Sequence, residues 1–405
     1  MANTRRNASV TIIVILGLAL LSCVSANGNR RALVNAGPPV FDITKFGAVP
    51  DDENEDNFGA FIKAWNAACH SGGPAKVLVP KKTYFTGPVL FQGPCNSTVT
   101  VEILGTIKAT TDLSMYDSPE WFTFEHISGL TLTGGVFDGQ GAAVWKFNDC
   151  KHNKRSCARL PSNVKINHVN NSVICGVSSV NSKQFHFHIF GSNNITMYNL
   201  NVTAPDESPN TDGIHLSTVQ KVTIKDSIIG TGDDCISIGQ GSQQISINNI
   251  TCGPGHGISV GSLGKYKDEK DVVGVEVTNV RFINTTNGAR IKTWGGSITG
   301  KATNITYKNV ILESVKNPVI IDQHYGKKKS TTIKDIHFIN FKGTTISEAA
   351  VSMLCSSKFP CQCVELVDIE LSYVGLKKTL PFVSTCEHVK AKFSGKQNPP
   401  ACKLQ

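Results

Sequence analysis

Four short runs of the chain hold groups that can move protons or grip anions: Asn210-Thr211-Asp212, Gly232-Asp233-Asp234, Gly255-His256-Gly257 and Arg290-Ile291-Lys292. Aligned on Ile214, Ile236, Ile258 and Ile291, they fall into columns. Two positions before these isoleucines stand Asp212, Asp234 and His256, with Ala289 in the fourth run. One position after stand His215, Ser237, Ser259 and Lys292. If the runs are neighbouring strands, residues in one column lie about 4.8 Å apart. Asp212 and Asp234 then stack as a carboxylate pair, with Asp233 beside them and His256 one strand on. Crowded carboxylates push one pKa upward. Hydrolysis of a glycosidic bond needs that inequality: one carboxyl stays protonated to donate to the leaving oxygen, and another stays ionised to activate water or attack carbon. Arg290 and Lys292 occupy alternate positions, so they share a face and can grip a substrate carboxylate.

Taken singly, these residues have ordinary explanations. Asp beside Gly is common in turns, and a lone His is more often structural. The joint register across four runs carries the chemical reading. It contains one tension. Strict alternation puts Asp233 and Asp234 on opposite faces. Both reach one site only where the backbone bends, as Gly230-Thr231-Gly232 permits.

The elements that would position these groups repeat along the chain. An eight-residue pattern, apolar and polar in alternation with Asn or Asp at its fifth place, spans 195–202, 222–229, 245–252, 275–282, 305–312, 331–338 and 364–371. Its fifth place holds Asn199, Asp226, Asn249, Asn279, Asn309, Asp335 and Asp368, and a weaker copy over 130–137 has Gly134 there. Two-residue alternation rich in Val, Ile and Thr predicts strands, and the central Asn or Asp suits a sharp turn. Units this short cannot bury a face alone, so they must stack. The expected fold is all-β: a right-handed parallel β-helix. A β-sandwich fits less well, since its strands share no fixed motif register. Phe58, Phe61, Ile62, Trp65 and Cys69 have helical spacing behind the acidic stretch 51–56, which predicts one short N-terminal helix capping the solenoid.

Residues 1–26 read as a secretory signal peptide, with Arg5 and Arg6, an apolar run and small residues before the cut. Residues 27–405 then form a single catalytic domain. No segment is apolar enough for long enough to span a membrane. Of 13 cysteines, Cys23 leaves with the signal, and the even remainder suits an oxidising, extracellular compartment. Sequons at Asn96, Asn170, Asn194, Asn201, Asn249, Asn284 and Asn304 agree with secretion. The net charge of +9 favours a polyanionic partner. Basic residues are scattered and no aromatic-interleaved basic patch is present, so an acidic polysaccharide fits better than nucleic acid. A monomer is expected.

The four runs, in this order, resemble the signature segments of the polygalacturonases, glycoside hydrolase family 28. The resemblance extends from Phe41 to the C-terminal cysteines. It implies an inverting hydrolase of α-1,4-galacturonosyl links in pectin, acting in the plant cell wall. It further implies that Asp233 is the general acid, that Asp212 and Asp234 hold and activate water, and that His256 supports protonation of the acid. Arg290 and Lys292 would bind the galacturonate carboxylate, with Asn210 and Tyr325 also in the substrate site. His324 stands where the family pattern has Asn. No metal and no other cofactor is expected. The run 264–272 resembles the pollen-type, exo-acting branch. The alternatives are an endo-acting enzyme, a related pectin enzyme such as a rhamnogalacturonan hydrolase or a lyase, and a polysaccharide-binding β-helix without catalysis. An exo enzyme must close one end of its cleft, and the loops 148–157 and 265–271 are candidate walls. Cys235 and Cys252 lie on adjacent coils, and the resemblance pairs them. Cys69 with Cys95, Cys355 with Cys361 and Cys386 with Cys402 are weaker expectations, and Cys150, Cys157, Cys175 and Cys363 are not assigned to pairs.

Overall fold

An Asn or Asp in the left-handed backbone region marks the copies of the repeat: Asn199, Asp226, Asn249, Asn279, Asn309 and Asp368 have φ between 50° and 56°. The 331–338 copy is misplaced in the sequence alignment, since Ile305 pairs with Ile336 and Asn340 (φ 56°), not Asp335, stands in this row. Few other side chains tolerate that region, because they lack a short polar group that bonds locally. Each such residue turns the strand, and the turns stack. The amide of Asn249 donates to Asp226 (2.7 Å), Asn309 to Asn279 (3.0 Å) and Asn340 to Asn309 (3.0 Å), one coil to the next. The computed structural model describes residues 37–148, 159–294, 300–325, 331–376 and 381–403. The expected signal peptide and the Cys150–Cys157 loop lie outside them.

The strands form a parallel β-helix of two sheets, one of 18 strands that bends at these turns and one of 11. The smaller sheet carries the motifs. Its relevant strands are β1 (Phe187–Phe190), β2 (Ile214–Ser217), β3 (Ile236–Ile238), β4 (Ile258–Leu263), β5 (Asn287–Thr293) and β6 (Asn317–Asp322). They pair in that order, all parallel. Ile214, Ile236, Ile258 and Ile291 are fully buried, each contributing about 2 kcal/mol of apolar transfer to the shared core.

The register corrects the sequence alignment at its fourth run. Ile214 pairs with Ile236 and Ile236 with Ile258, as expected, but Ile258 pairs with Ala289, not Ile291. The slip is two residues. A two-residue slip leaves every side chain on its own face, so alternation alone cannot detect it. Asn287, not Ala289, therefore continues the Asp212–Asp234–His256 column, and its side-chain amide donates to the carbonyl of His256 (3.0 Å). Arg290 falls level with Ser259, and a bulge after Val260 sets Lys292 one step beyond.

Helix α1 (Phe58–Cys69) forms as expected. The carboxylate of Asp56 accepts its first amide (3.0 Å), favourable at a helix N-terminus. Trp65 is buried, stacks on Phe91 at 4.5 Å and donates its indole N–H to the Gln92 carbonyl (3.0 Å), which seats the helix on the first coils. Phe58 departs from the pattern. It is 44% exposed, because the first helical residue faces away from the coil that Trp65 covers.

Four disulfides join the expected pairs: Cys69–Cys95, Cys235–Cys252, Cys355–Cys361 and Cys386–Cys402. Cys175 is also disulfide-bonded, and Cys363 is an exposed free thiol. Cys235 and Cys252 are fully buried and 17 residues apart. Closing a loop of that size stabilises by about 3 kcal/mol in the chain-entropy picture. Replacing both by Ala is expected to lower the denaturant midpoint accordingly, and an unchanged midpoint would refute that contribution. Among the described residues, no helix is long and apolar enough to cross a membrane.

Candidate active site

Asp212 and Asp234 precede β2 and β3 by two residues and reach diagonally to the next coil. Ser237 donates to Asp212 Oδ2 (2.6 Å), and Ser259 donates to Asp234 Oδ1 (2.6 Å). The two aspartates are thus held by the same device, one coil apart. Both are buried. Asp234 also accepts from Arg290 Nη2 (3.1 Å) and Lys292 Nζ (2.7 Å), while Arg290 Nε donates to Ser259 (2.9 Å). Asp233 Oδ1 meets His256 Nδ1 at 2.9 Å.

The tension between Asp233 and Asp234 is resolved locally. The backbone amide of Asp234 donates to Asp233 Oδ1 (2.8 Å), drawing that carboxylate back over its own peptide. Oxygens of both aspartates and a nitrogen of His256 then lie within 4.8 Å of one another. Gly232 contributes by close approach and not by a left-handed conformation. A Cβ there would stand 2.0 Å from the Ser208 carbonyl oxygen, and the Gly232 amide donates to Thr211 Oγ1 (3.0 Å). The loop before Asp212 and the turn before Asp233 are thereby clamped together.

The remaining expected residues fall around a cavity of about 440 Å³, which Asn210, Asp212, Asp233, Asp234, Lys292 and Tyr325 all line. Tyr325 lies 5.5 Å beneath Lys292 Nζ and meets Trp294 edge-on at 5.4 Å. Arg290 and Lys292 were expected to face a substrate carboxylate. In the structure both are bonded to Asp234, and of the two only Lys292 lines the cavity. The segment 264–271 forms a side wall through Lys265, Tyr266 and Glu269. Glu269 is buried and accepts the amides of Gly264 (2.6 Å), Lys265 (2.8 Å) and Tyr266 (2.9 Å), so one carboxylate shapes the whole turn. Sequence reasoning did not single out Glu269 or Phe185. Ser237 and Ser259 appeared in the columns, but only as neighbours. His215 was likewise visible, and its Nδ1 lies 2.7 Å from Ser237 Oγ, behind the Asp212 bond.

Burial, with the charges of Asp233 and Asp234, pushes Asp212 well above the usual aspartate value, against the Ser237 bond and Lys292. Burial would raise Asp233 too, but the hydrogen bond and charge of His256, with Lys292 and the Asp234 amide, hold it below that value. In such a coupled cluster the protons belong to the group as a whole. The Asp233–His256 contact is a hydrogen bond at 2.9 Å, and burial favours the protonated form of Asp212. Arg290 and Lys292 meet the oxygens of Asp234 that a metal ion would otherwise take, so Asp233, Asp234 and His256 form a cluster already neutralised by side chains. Such a site can donate one proton from its exposed edge and keep an ionised oxygen in its interior.

Asp212→Asn should therefore stabilise the fold while removing activity. Asn keeps an oxygen for Ser237 and loses the buried like charge. With the folded pKa raised, ionisation of Asp212 costs stability as pH rises through that raised value, and costs nothing below the usual value of 3.8. The variant is expected to melt a few degrees higher at neutral pH, with the difference fading in acid. Equal melting temperatures at neutral pH would argue against the electrostatic account.

A parallel β-helix bearing stacked carboxylates in a cleft is the architecture of a polysaccharide-cleaving glycoside hydrolase. The profile of Glycosyl hydrolases family 28 matches residues 69–395, and the chain belongs to that family. It is 47% identical to an exopolygalacturonase of Arabidopsis thaliana, over 99% of this chain and all of that one, and 43% identical to a polygalacturonase of Nicotiana tabacum, over 90% and 92%. Its fold resembles an endo-xylogalacturonan hydrolase of Aspergillus tubingensis (TM-score 0.74, 22% identity, 88% and 100% covered). It also resembles an exopolygalacturonase of Thermotoga maritima (TM-score 0.72, 18% identity, 90% and 92% covered).

Proposed function

We propose that this hydrolase is an exo-acting polygalacturonase, which inverts the anomeric carbon as it releases galacturonate from the ends of pectin chains. The observation that carries the reading is the site itself: Asp233 at the cleft edge against His256, and Asp212 with Asp234 buried one coil apart. Asp233 delivers the proton to the leaving oxygen. Asp212 and Asp234 hold the attacking water. Inversion is taken from the family, because the Asp233 and Asp234 oxygens lie within 4.8 Å of one another, closer than is usual for inverting pairs. His256 supplies the proton held against Asp233. Lys292, Tyr325 and Asn210 line the space for galacturonate, and Arg290 holds Asp234 in place while its charge draws the substrate carboxylate.

The exo mode rests on the relatives that bear that name and on the walled cavity. The net positive charge suits a polyanionic substrate. The same reading makes the mature enzyme a secreted, glycosylated, monomeric single domain of 27–405 that works in the plant cell wall. Digestion of polygalacturonate followed over time tests it. Galacturonate monomer should dominate from the first minutes, and viscosity should fall slowly relative to reducing ends. Mixed oligomers with a rapid viscosity drop would mean an endo enzyme. Proton NMR of the first product should show the β-anomer, and an initial α-anomer would mean retention.

A further inference from the structure

The row of site residues begins one coil before the motifs do. Phe187 pairs with Ile214, and the amide of His186 donates to the carbonyl of Asp212 (2.9 Å). Phe185 is therefore the residue level with Asp212 in the row that continues through Asp234 and His256. Its ring stacks on the imidazole of His215 (centroids 4.7 Å apart, planes at 23°) and meets His188 edge-on at 5.5 Å. Phe185 lines the cavity, whereas His188 and Lys165 do not. His188 lies on the same coil as Phe185 and Lys165 on the coil before it, with Lys165 Nζ 2.8 Å from His188 Nδ1 and 3.7 Å from Glu120 Oε1.

The two ends of the row differ. Coils are spaced about 4.8 Å apart. On one side Phe185 stands two coils from the level of Asp233 and Asp234, about 9.6 Å away, which leaves room for about one sugar unit. On the other side the row runs on past His256 toward Lys292 and Tyr325. An aromatic ring offers no partner for a carboxylate, yet a cationic side chain sits directly behind this one. We propose that Phe185 is the stop of the cleft: it admits a single terminal galacturonate between itself and the scissile bond, and screens off Lys165, which would otherwise hold the carboxylate of a second unit. The proposal rests on the exo reading given above.

Tetragalacturonate digested by the full chain tests it. The parent should give monomer and trimer first. Phe185→Ala opens the path to Lys165 and is expected to raise the initial dimer-to-monomer ratio by about tenfold or more. Adding Lys165→Met to that variant should bring the ratio back down, which a merely structural role for Phe185 would not produce. Phe185→Leu, which keeps most of the bulk, should fall between parent and Phe185→Ala, and it carries the test if the Ala variant does not fold. A folded, active Phe185 variant with the parent's ratio overturns the proposal. If the parent itself releases mixed sizes from the start, the exo reading fails first, and this result is separable from the variant comparison.

Discussion

Asp233→Asn is expected to reduce hydrolysis of polygalacturonate by about a thousandfold, within the range that a positioned general acid contributes. The side chain keeps its shape, and its oxygen can still receive His256 Nδ1 at the 2.9 Å separation seen here. What is lost is an oxygen able to give up a proton. Binding of oligogalacturonate should survive, because the cations on Asp234 and the cavity walls are untouched. The split between turnover and binding is the diagnostic. It is read by titrating the variant with trigalacturonate and measuring single-turnover rates on the same oligomer. Turnover within a few-fold of the parent would remove Asp233 from the acid's role.

Lys292→Met should be costly in two ways. Asp234 is almost completely buried, and its carboxylate is neutralised by Lys292 at 2.7 Å and Arg290 at 3.1 Å. Removing one partner of a buried pair costs about 3 kcal/mol, mostly the penalty of the charge left behind. Arg290 offsets part of that, since it remains bonded. The cost should appear in urea unfolding at neutral pH. The second loss is in kcat/KM on galacturonate oligomers, by roughly a hundredfold or more, the usual effect of deleting one side of a desolvated charge contact. Lys292→Arg restores the charge without the compact ammonium that sits 2.7 Å from Asp234 Oδ2, so it should recover stability better than activity. Parent-like unfolding and parent-like kinetics in Lys292→Met would together sink this role.

What was readable in the chain was periodic. The left-handed turn positions were visible where Asn or Asp recurs at the repeat spacing, except that Asp335 stood in for Asn340. The stacking of Asp212 on Asp234 followed from two coils of similar length. The fourth coil was misplaced by two residues because Ala289 and Ile291 are both apolar and buried, so alternation fits either of them opposite Ile258. The reach of Asp233 was unreadable for another reason. It depends on a bond from the next residue's amide and on the close approach of Ser208 to Gly232, neither of which has a sequence period. Phe185 could have been found by carrying the register one strand upstream, to Phe187-His188-Ile189-Phe190. Glu269 could not, since its role is to accept three amides within its own turn.

The side-chain contacts that hold the three aspartates cross from one coil to another: Asp212 to Ser237 and Asp234 to Ser259 over 25 residues, Asp233 to His256 over 23. A solenoid of this kind frays from its tips, because each layer is held only by its neighbours. Asp212, Asp233 and Asp234 lie in mid-stack, so unzipping from either tip reaches them last. Enzymatic turnover is therefore a late-failing gauge, and the chain can shed order at both tips while it still cuts its polymer.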